Sequence, residues 1–217
     1  GALVHATRVI RDGLGTGDTC WLASVASAEV TAGITRLLGA RGCLVERAST
    51  RATGGGVRIA YAEPSRLGVD RFLALLAAHA RGPGPWLLVS AGSALTVDLL
   101  DESGRHHGGV IAPSPEHMRA ALAARFPALA YAGGEAQPFA ADTADALAGG
   151  SLGAAAGLVE RSLREATRRL GQAPIVLLGG GGASRLASTL ECEALVAPAL
   201  VIEGLAVYAT DVAGDDE

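Results

Sequence analysis

Apolar residues along this chain fall into short blocks, and their spacing switches repeatedly between the period of a strand and that of a helix. Ala2 to Ile10 is apolar-rich and reads as a strand or a short helix. Asp12 to Thr19, with its glycines, reads as a loop, followed by a short strand over Trp21–Ser24. Ala28 to Leu38 has helical spacing, with Val30, Ile34, Leu37 and Leu38 on one face. Cys43–Arg47 and the alternating Val57–Tyr61 read as strands, with a glycine-rich turn at Thr53–Gly56. Pro64 keeps the next stretch out of a helix. A helix then starts near Val69, with Phe72, Leu73, Leu75 and Leu76 as its apolar face. That start puts Asp70 in the first turn, where the helix dipole stabilises a carboxylate.

Arg81-Gly82-Pro83-Gly84-Pro85 is the strongest linker signal, and it predicts a boundary there, with halves of 1–83 and 84–217. Beyond it, Leu87–Val89, Leu95–Leu100 and Arg105–Ile111 read as three strands. The first two are joined by the small residues Ser90–Ala94, the last two by Glu102-Ser103-Gly104. Ser114 and Pro115 are an N-cap and first helical residue for a helix marked by Met118, Ala121, Leu122 and Phe126. Ala128–Pro138 is a loop. Asp142–Leu170 is a long helical stretch, in one piece or two. Leu147, Leu152, Ala155, Leu158, Leu163 and Leu170 form its buried stripe, with Glu160–Arg164 and Glu165–Arg169 paired on the wet face. Ile175–Leu178 is a buried strand running into Gly179–Gly182. A helix over Ala183–Leu190, a strand over Leu195–Ala197 and a helix over Val201–Thr210 follow, then an acidic tail including Asp211. Three antiparallel strands followed by alternating helices and strands is the order of a ribonuclease-H-like unit. The first half gives a shorter version of the same series, so the fold class is α/β with a ligand cleft between two related halves.

Composition narrows the function. Of the 217 residues, 49% are hydrophobic and 18% charged, enough apolar surface for a core. The net charge of −4 and the lack of a basic run argue against nucleic acid as a partner. No apolar segment is long enough to span a membrane. Cys20, Cys43 and Cys192 are widely spaced, which fits free core thiols in a reducing cytoplasm. His106 and His107 lie on a strand without a matched acidic or cysteine cluster, so no metal site is expected. Asp98, on the preceding strand, is read as facing water.

Two stretches carry candidate phosphate chemistry. Gly92 admits close backbone approach, Ser93 and Thr96 add hydroxyls, and the amides of the Ser90–Ala94 turn can hold an anion; an ordinary hairpin is the alternative. Gly179 and Gly180 end a strand before a helix, where bare backbone admits a nucleotide; a tight turn is the alternative.

Several segments together resemble the type III pantothenate kinases, a family of the actin-like sugar-kinase and acetate-kinase superfamily. Tyr61-x-x-Pro64-x-x-Leu67-Gly68-Val69-Asp70-Arg71-Phe72 is similar to that family's Gly-x-Asp-Arg segment and its lead-in. Gly92-Ser93-Ala94-Leu95-Thr96 resembles its second phosphate motif, and Gly108-Gly109-Val110-Ile111-Ala112-Pro113 its Gly-Gly-x-Ile-x-Pro-Gly. Thr143-x-x-Ala146-x-x-x-Gly150, the strand into Gly179-Gly180 and the closing Glu203-Gly204-Leu205 resemble further segments. The resemblance implies two actin-like halves, ATP with Mg2+, pantothenate as substrate, and a homodimer with the pantothenate pocket at its interface. It implies Asp70 as general base. Tyr61, Gly68, Val69, Arg71 and Thr143 fall on the substrate side, and Gly92, Ser93, Thr96, Gly179 and Gly180 on the ATP side. The sequence departs from the pattern in two main places. Ser90 stands where the family has the Asp that binds a monovalent cation (K+ or NH4+). The N-terminal Asp-x-Gly-Asn-Thr/Ser motif is absent, so the first half is expected to lack its first strand. Two functions follow: a pantothenate kinase, or a non-catalytic relative acting as a pantothenate-binding or regulatory dimer.

Overall fold

The computed structural model describes residues 17–129 and 133–215. The readings of Ala2–Ile10, of most of Asp12–Thr19, of a missing first strand, and of Asp216 and Glu217 lie outside these residues.

Two compact units divide the chain. One holds the described residues up to Pro83, Ser103–His106, and the chain from Leu200 on; the other holds Gly84–Glu102 and His107–Ala199. One division falls inside the Arg81–Pro85 linker. The closing segment, read as the end of the second half, groups instead with the first unit.

In the first unit, β1 (Thr19–Leu22) pairs in parallel with β2 (Leu44–Arg47) through α1 (Ala28–Gly39). Ser27 caps α1 by accepting from the Val30 amide. The expected apolar face is only partly used: Leu38 is buried but Leu37 is 65% exposed. The stretch over 57–61 forms a strand only at β4 (Val57–Arg58), which hairpins with β3 (Thr53–Gly54) across Gly55 and Gly56 at positive φ. Pro64 does not exclude helix altogether. It opens a single 3-10 turn over Pro64–Arg66, because a residue at the first turn has no intrahelical N–H bond to lose. Then α2 (Val69–Ala80) begins where its spacing predicts. Phe72, Leu73, Leu75 and Leu76 are all 0% exposed.

Helix α6 (Leu200–Asp215) packs along α2. A Cβ at Gly204 would lie 1.9 Å from the Leu73 carbonyl oxygen, so only glycine permits this approach. Asp211 is not part of a solvated tail: it binds the Arg51 guanidinium at 2.8 Å and accepts from the Gly55 amide at 3.0 Å. Tyr208, on the same helix, is buried and meets Trp21 and Phe72 edge-on.

The second unit is built on a five-stranded sheet ordered β7-β6-β5-β8-β9. Its strands are β5 (Trp86–Ala91), β6 (Ala94–Leu100), β7 (His106–Pro113), β8 (Ile175–Gly179) and β9 (Ala194–Val196). β5 runs antiparallel to β6 and parallel to β8, and β8 is parallel to β9. Ser90 and Ala91 belong to β5, so the turn to β6 shrinks to Gly92-Ser93. Asp98 does not face water: it is 3% exposed within β6.

α3 (Pro115–Arg125) is capped by Ser114 as expected but buries no residue, and Leu122 and Phe126 are exposed. α4 (Thr143–Leu170) is one unbroken helix, capped by Asp142 accepting from the Ala144 and Asp145 amides. Its fully buried line is Ala148, Ser151, Leu152, Ala155, Ala156, Val159 and Ala166, with the expected Leu158, Leu163 and Leu170 partly buried against the same core, so the helix lies close on the sheet. Glu165 pairs with Arg168 rather than Arg169. The helix after β8 is short, α5 (Ala183–Ala187).

Candidate active site

Of the residues read as substrate-side, those in the first unit lie at or just before the start of α2, whereas Thr143 belongs to the second unit. Gly68 is the N-cap, with no side-chain cap of its own. A Cβ there would come within 2.6 Å of Asp70 Oδ1. The Asp70 carboxylate therefore folds back over Gly68 at the positive end of the helix, into space that a side chain at position 68 would contest. Val69 is buried, while Asp70 is half-buried, still reachable by a ligand.

Arg71 is 6% exposed. A guanidinium so far from water needs partners, and it donates to Tyr61 Oη at 3.2 Å while lying 5.8 Å from that ring's centroid. Accepting this bond leaves the Tyr61 hydroxyl its own proton to donate. On Tyr61 lies the buried His106, its ring 6.2 Å away centroid to centroid and 4° from parallel. His106 Nδ1 accepts from the Ala60 amide at 3.4 Å. Its neighbour His107 serves the other unit, with Nε2 2.7 Å from Asp101 Oδ2. Of the residues singled out in the sequence, Asp70 lies against Gly68, and Arg71 against Tyr61. His106 is not among those, because a contact between residues 45 positions apart leaves no local trace.

In the second unit the residues read as phosphate-binding gather where the interior strands β5 and β8 end and β6 begins. Ser90 stands opposite Thr96 on β6 and beside Gly179 on β8. Gly92 N donates back to Ala94 O at 3.0 Å, which closes the two-residue turn and leaves Gly92 and Ser93 exposed. Gly180 has φ +87°, and a Cβ on it would stand 2.6 Å from Ala91 O. Gly182 N donates to that same oxygen at 2.8 Å. Backbone from β5 and from the turn after β8 is thus held in direct contact, with no side chain between. Thr143, exposed at the start of α4, lines an open depression with Ala140, Ala141, Asp142, Ala146 and Leu147, a lining that includes none of these strand-end residues.

Among the described residues, no group of three or more His, Cys, Asp or Glu is gathered for a metal ion. The thiols of Cys20 and Cys192 are not poised as nucleophiles, since burial raises both. Burial pushes Cys20 up from its ordinary range, and the hydrogen bond with its neighbour Cys43 pushes the same way. No described helix is long and apolar enough to cross a membrane.

A five-stranded sheet of this order, with hydroxyls and glycines at its strand ends and a carboxylate at a helix start in a companion unit, defines the class: a mixed α/β actin-like ATPase fold. A solved structure from Campylobacter jejuni, described as a conserved putative Baf family transcriptional activator, has this fold. It matches 96% of this chain and 88% of its own with a TM-score of 0.62 at 18% identity.

The profile of the family described as type III pantothenate kinase matches residues 3–165. A type III pantothenate kinase of Stenotrophomonas maltophilia (strain R551-3) is 50% identical over 196 residues, 90% of this chain and 80% of the relative. One from Xanthomonas campestris pv. campestris (strain B100) is 49% identical over 197 residues, 91% of this chain and 80% of the relative. The chain belongs to the type III pantothenate kinase family.

Proposed function

We propose that this chain transfers the γ-phosphoryl group of ATP to the primary hydroxyl of pantothenate, giving 4'-phosphopantothenate and ADP. The observation that supports the reading is the placement of the Gly68-Val69-Asp70-Arg71 segment at the start of a helix. Asp70 is half-buried at a helix start, beside a buried Arg71 that is itself braced by Tyr61. The new bond joins the hydroxyl oxygen to the γ-phosphorus, the bond to the β-phosphate oxygen breaks, and Asp70 accepts the hydroxyl proton. Placement and charge neutralisation supply most of the rate, so Asp70 acts chiefly by aiming the hydroxyl. Arg71, with Tyr61 as brace, holds the substrate, and Gly68 and Val69 set the backbone from which Asp70 projects. Thr143 supplies a further hydroxyl.

The strand ends take the triphosphate. Gly92 offers bare backbone, Ser93 and Thr96 offer hydroxyls, and Gly179-Gly180 offer further bare backbone, with Gly180 held directly against Ala91. These groups fit a phosphate chain, and Mg2+ arriving with ATP supplies neutralising charge. A tightly held monovalent cation fits less well, because position 90 offers a neutral hydroxyl and no carboxylate.

The dimer is also proposed. β7 is an edge strand whose Val110 and Ile111 are exposed at 45% and 64%, and α3 adds exposed Leu122 and Phe126 in the same unit. An apolar edge of this length calls for cover, and a second copy would supply it. Free thiols suit work in a reducing cytoplasm.

The test is ADP release with and without pantothenate. Release that depends on pantothenate supports the kinase, and light scattering reads the dimer. Ser90 favours one second reading, a relative that binds pantothenate without turning it over. Calorimetric binding of pantothenate with no ADP release at any ATP, Mg2+ or K+ concentration would establish that reading instead.

A further inference from the structure

We infer that His106 is a positioning residue for the substrate site, acting on Arg71 through Tyr61. The inference rests on the reading of Tyr61 and Arg71 as substrate residues.

The observations form a chain of contacts within one unit. His106 is 1% exposed, and its Nδ1 accepts from the amide of Ala60, the residue immediately before Tyr61. An accepting Nδ1 fixes the neutral tautomer with its proton on Nε2. The ring then lies parallel to Tyr61 at 6.2 Å. His106 therefore grips this segment twice, by the backbone before Tyr61 and by the face of the tyrosine ring. Tyr61 in turn presents Oη to Arg71 at 3.2 Å. Residues 59–63 lie outside any helix or strand, and the neighbouring Ala62 and Glu63 are exposed. The histidine itself is anchored through the backbone on both sides. Arg58 N donates to Gly104 O at 2.8 Å, Arg58 and Arg105 form an isolated β-bridge, and His107 continues into β7. A side chain fixed by a strand thus transmits rigidity to a loop tyrosine, and from there to a buried guanidinium.

Steady-state kinetics on the full chain test this with His106→Phe and His106→Asn. The first keeps the flat ring and loses the acceptor; the second keeps an acceptor at the position of Nδ1 and loses the ring. Each is expected to raise the KM for pantothenate by about 3- to 10-fold with the KM for ATP unchanged. His106→Ala, which removes both, should exceed either. A double-mutant cycle with Tyr61→Ala separates positioning from general stability. If His106 acts through Tyr61, His106→Phe adds no further rise in pantothenate KM in the Tyr61→Ala background. A full additive effect there, or equal rises in both KM values, overturns the inference. Should Tyr61→Phe and Arg71→Lys leave pantothenate KM untouched, the site reading itself fails. Should those two raise it while His106→Phe and His106→Asn do not, only the role of His106 fails. His106→Phe preserves the buried volume, so it carries the test if the alanine variant does not fold, with a thermal melt as the check.

Discussion

The stretch of the first unit proposed to meet substrate and the strand ends of the second proposed to meet phosphate are held by opposite means. Around Arg71 the geometry depends on side chains: a buried guanidinium on a tyrosine oxygen, and a histidine ring parallel to the tyrosine ring. Around Ser90 it depends on side chains being missing. Gly180 and Gly182 press on the Ala91 backbone, and Gly92 closes a turn of two residues. The difference follows from the ligands each would take. A polyphosphate is bound well by amides and hydroxyls that are close and numerous, and any Cβ is in the way. A small polar organic substrate must be recognised by shape and a few directed bonds, which demand rigid, desolvated side chains. The two regions should therefore fail differently under substitution.

The largest effect is expected in the first of these regions. Asp70→Asn should lower kcat by about 10²- to 10⁴-fold while the melt is little changed, because Asp70 is half-buried and contributes little to the core. Coupled ADP-release assays read the rate. Activity within a factor of about two of the parent would remove Asp70 as the base and leave this stretch a binding feature only.

Next come the glycine strand ends. Gly180→Ala puts a side chain at φ +87°, facing the Ala91 carbonyl oxygen at 2.6 Å. The strain and overlap together should cost roughly 2–4 kcal/mol in chemical denaturation and raise the KM for ATP. Ser93→Ala in the same region removes one exposed hydroxyl and should raise that KM by no more than about 10-fold with stability unaffected. A Ser93 effect exceeding that of Gly180 would mean the strand ends are held by side chains after all, and the contrast between the two units would collapse.

Much of this was legible in the chain itself, and the part that was not has a physical pattern. Capped helix starts are local events, so Ser114 and Asp142 and the onset near Val69 stand where short-range signals place them. The hairpin of β5 and β6 was visible in two β-prone runs around Gly92-Ser93. What local pattern could not show was which face a residue would use. Leu37 is apolar and exposed, Asp98 is charged and buried, and Asp211 looked like tail but binds Arg51. Each outcome is decided by elements distant in sequence. The same applies around Arg71: Tyr61, Gly68, Asp70 and Arg71 lie within eleven residues and could be read together. His106 reaches them only through the fold. Likewise the final helix joins the first unit because Gly204 allows it onto Leu73, a contact over 131 positions of chain.

The smallest expected effect sits where the sequence departs from its family. Ser90 lies at the end of β5, opposite Thr96 and next to Gly179, among the groups proposed to take the phosphates, and it brings no charge to them. By the alternation of a strand, Asp98 shares a face of β6 with Thr96, and it is buried. A carboxylate placed at position 90 would thus enter a region where a buried acid already stands two residues along the facing strand. Without a cation, the added negative charge opposes triphosphate binding; with one, the new carboxylate gains a partner and the penalty is offset. Ser90→Asp should accordingly raise the KM for ATP by about threefold when tetramethylammonium is the only monovalent cation, and return it to the parent value in K+. The parent itself should respond equally to both salts. A parent enzyme that already requires K+ would show that hydroxyls and backbone alone hold the ion, and the contrast would then sharpen: the glycine strand ends would manage even their cation without a charged side chain.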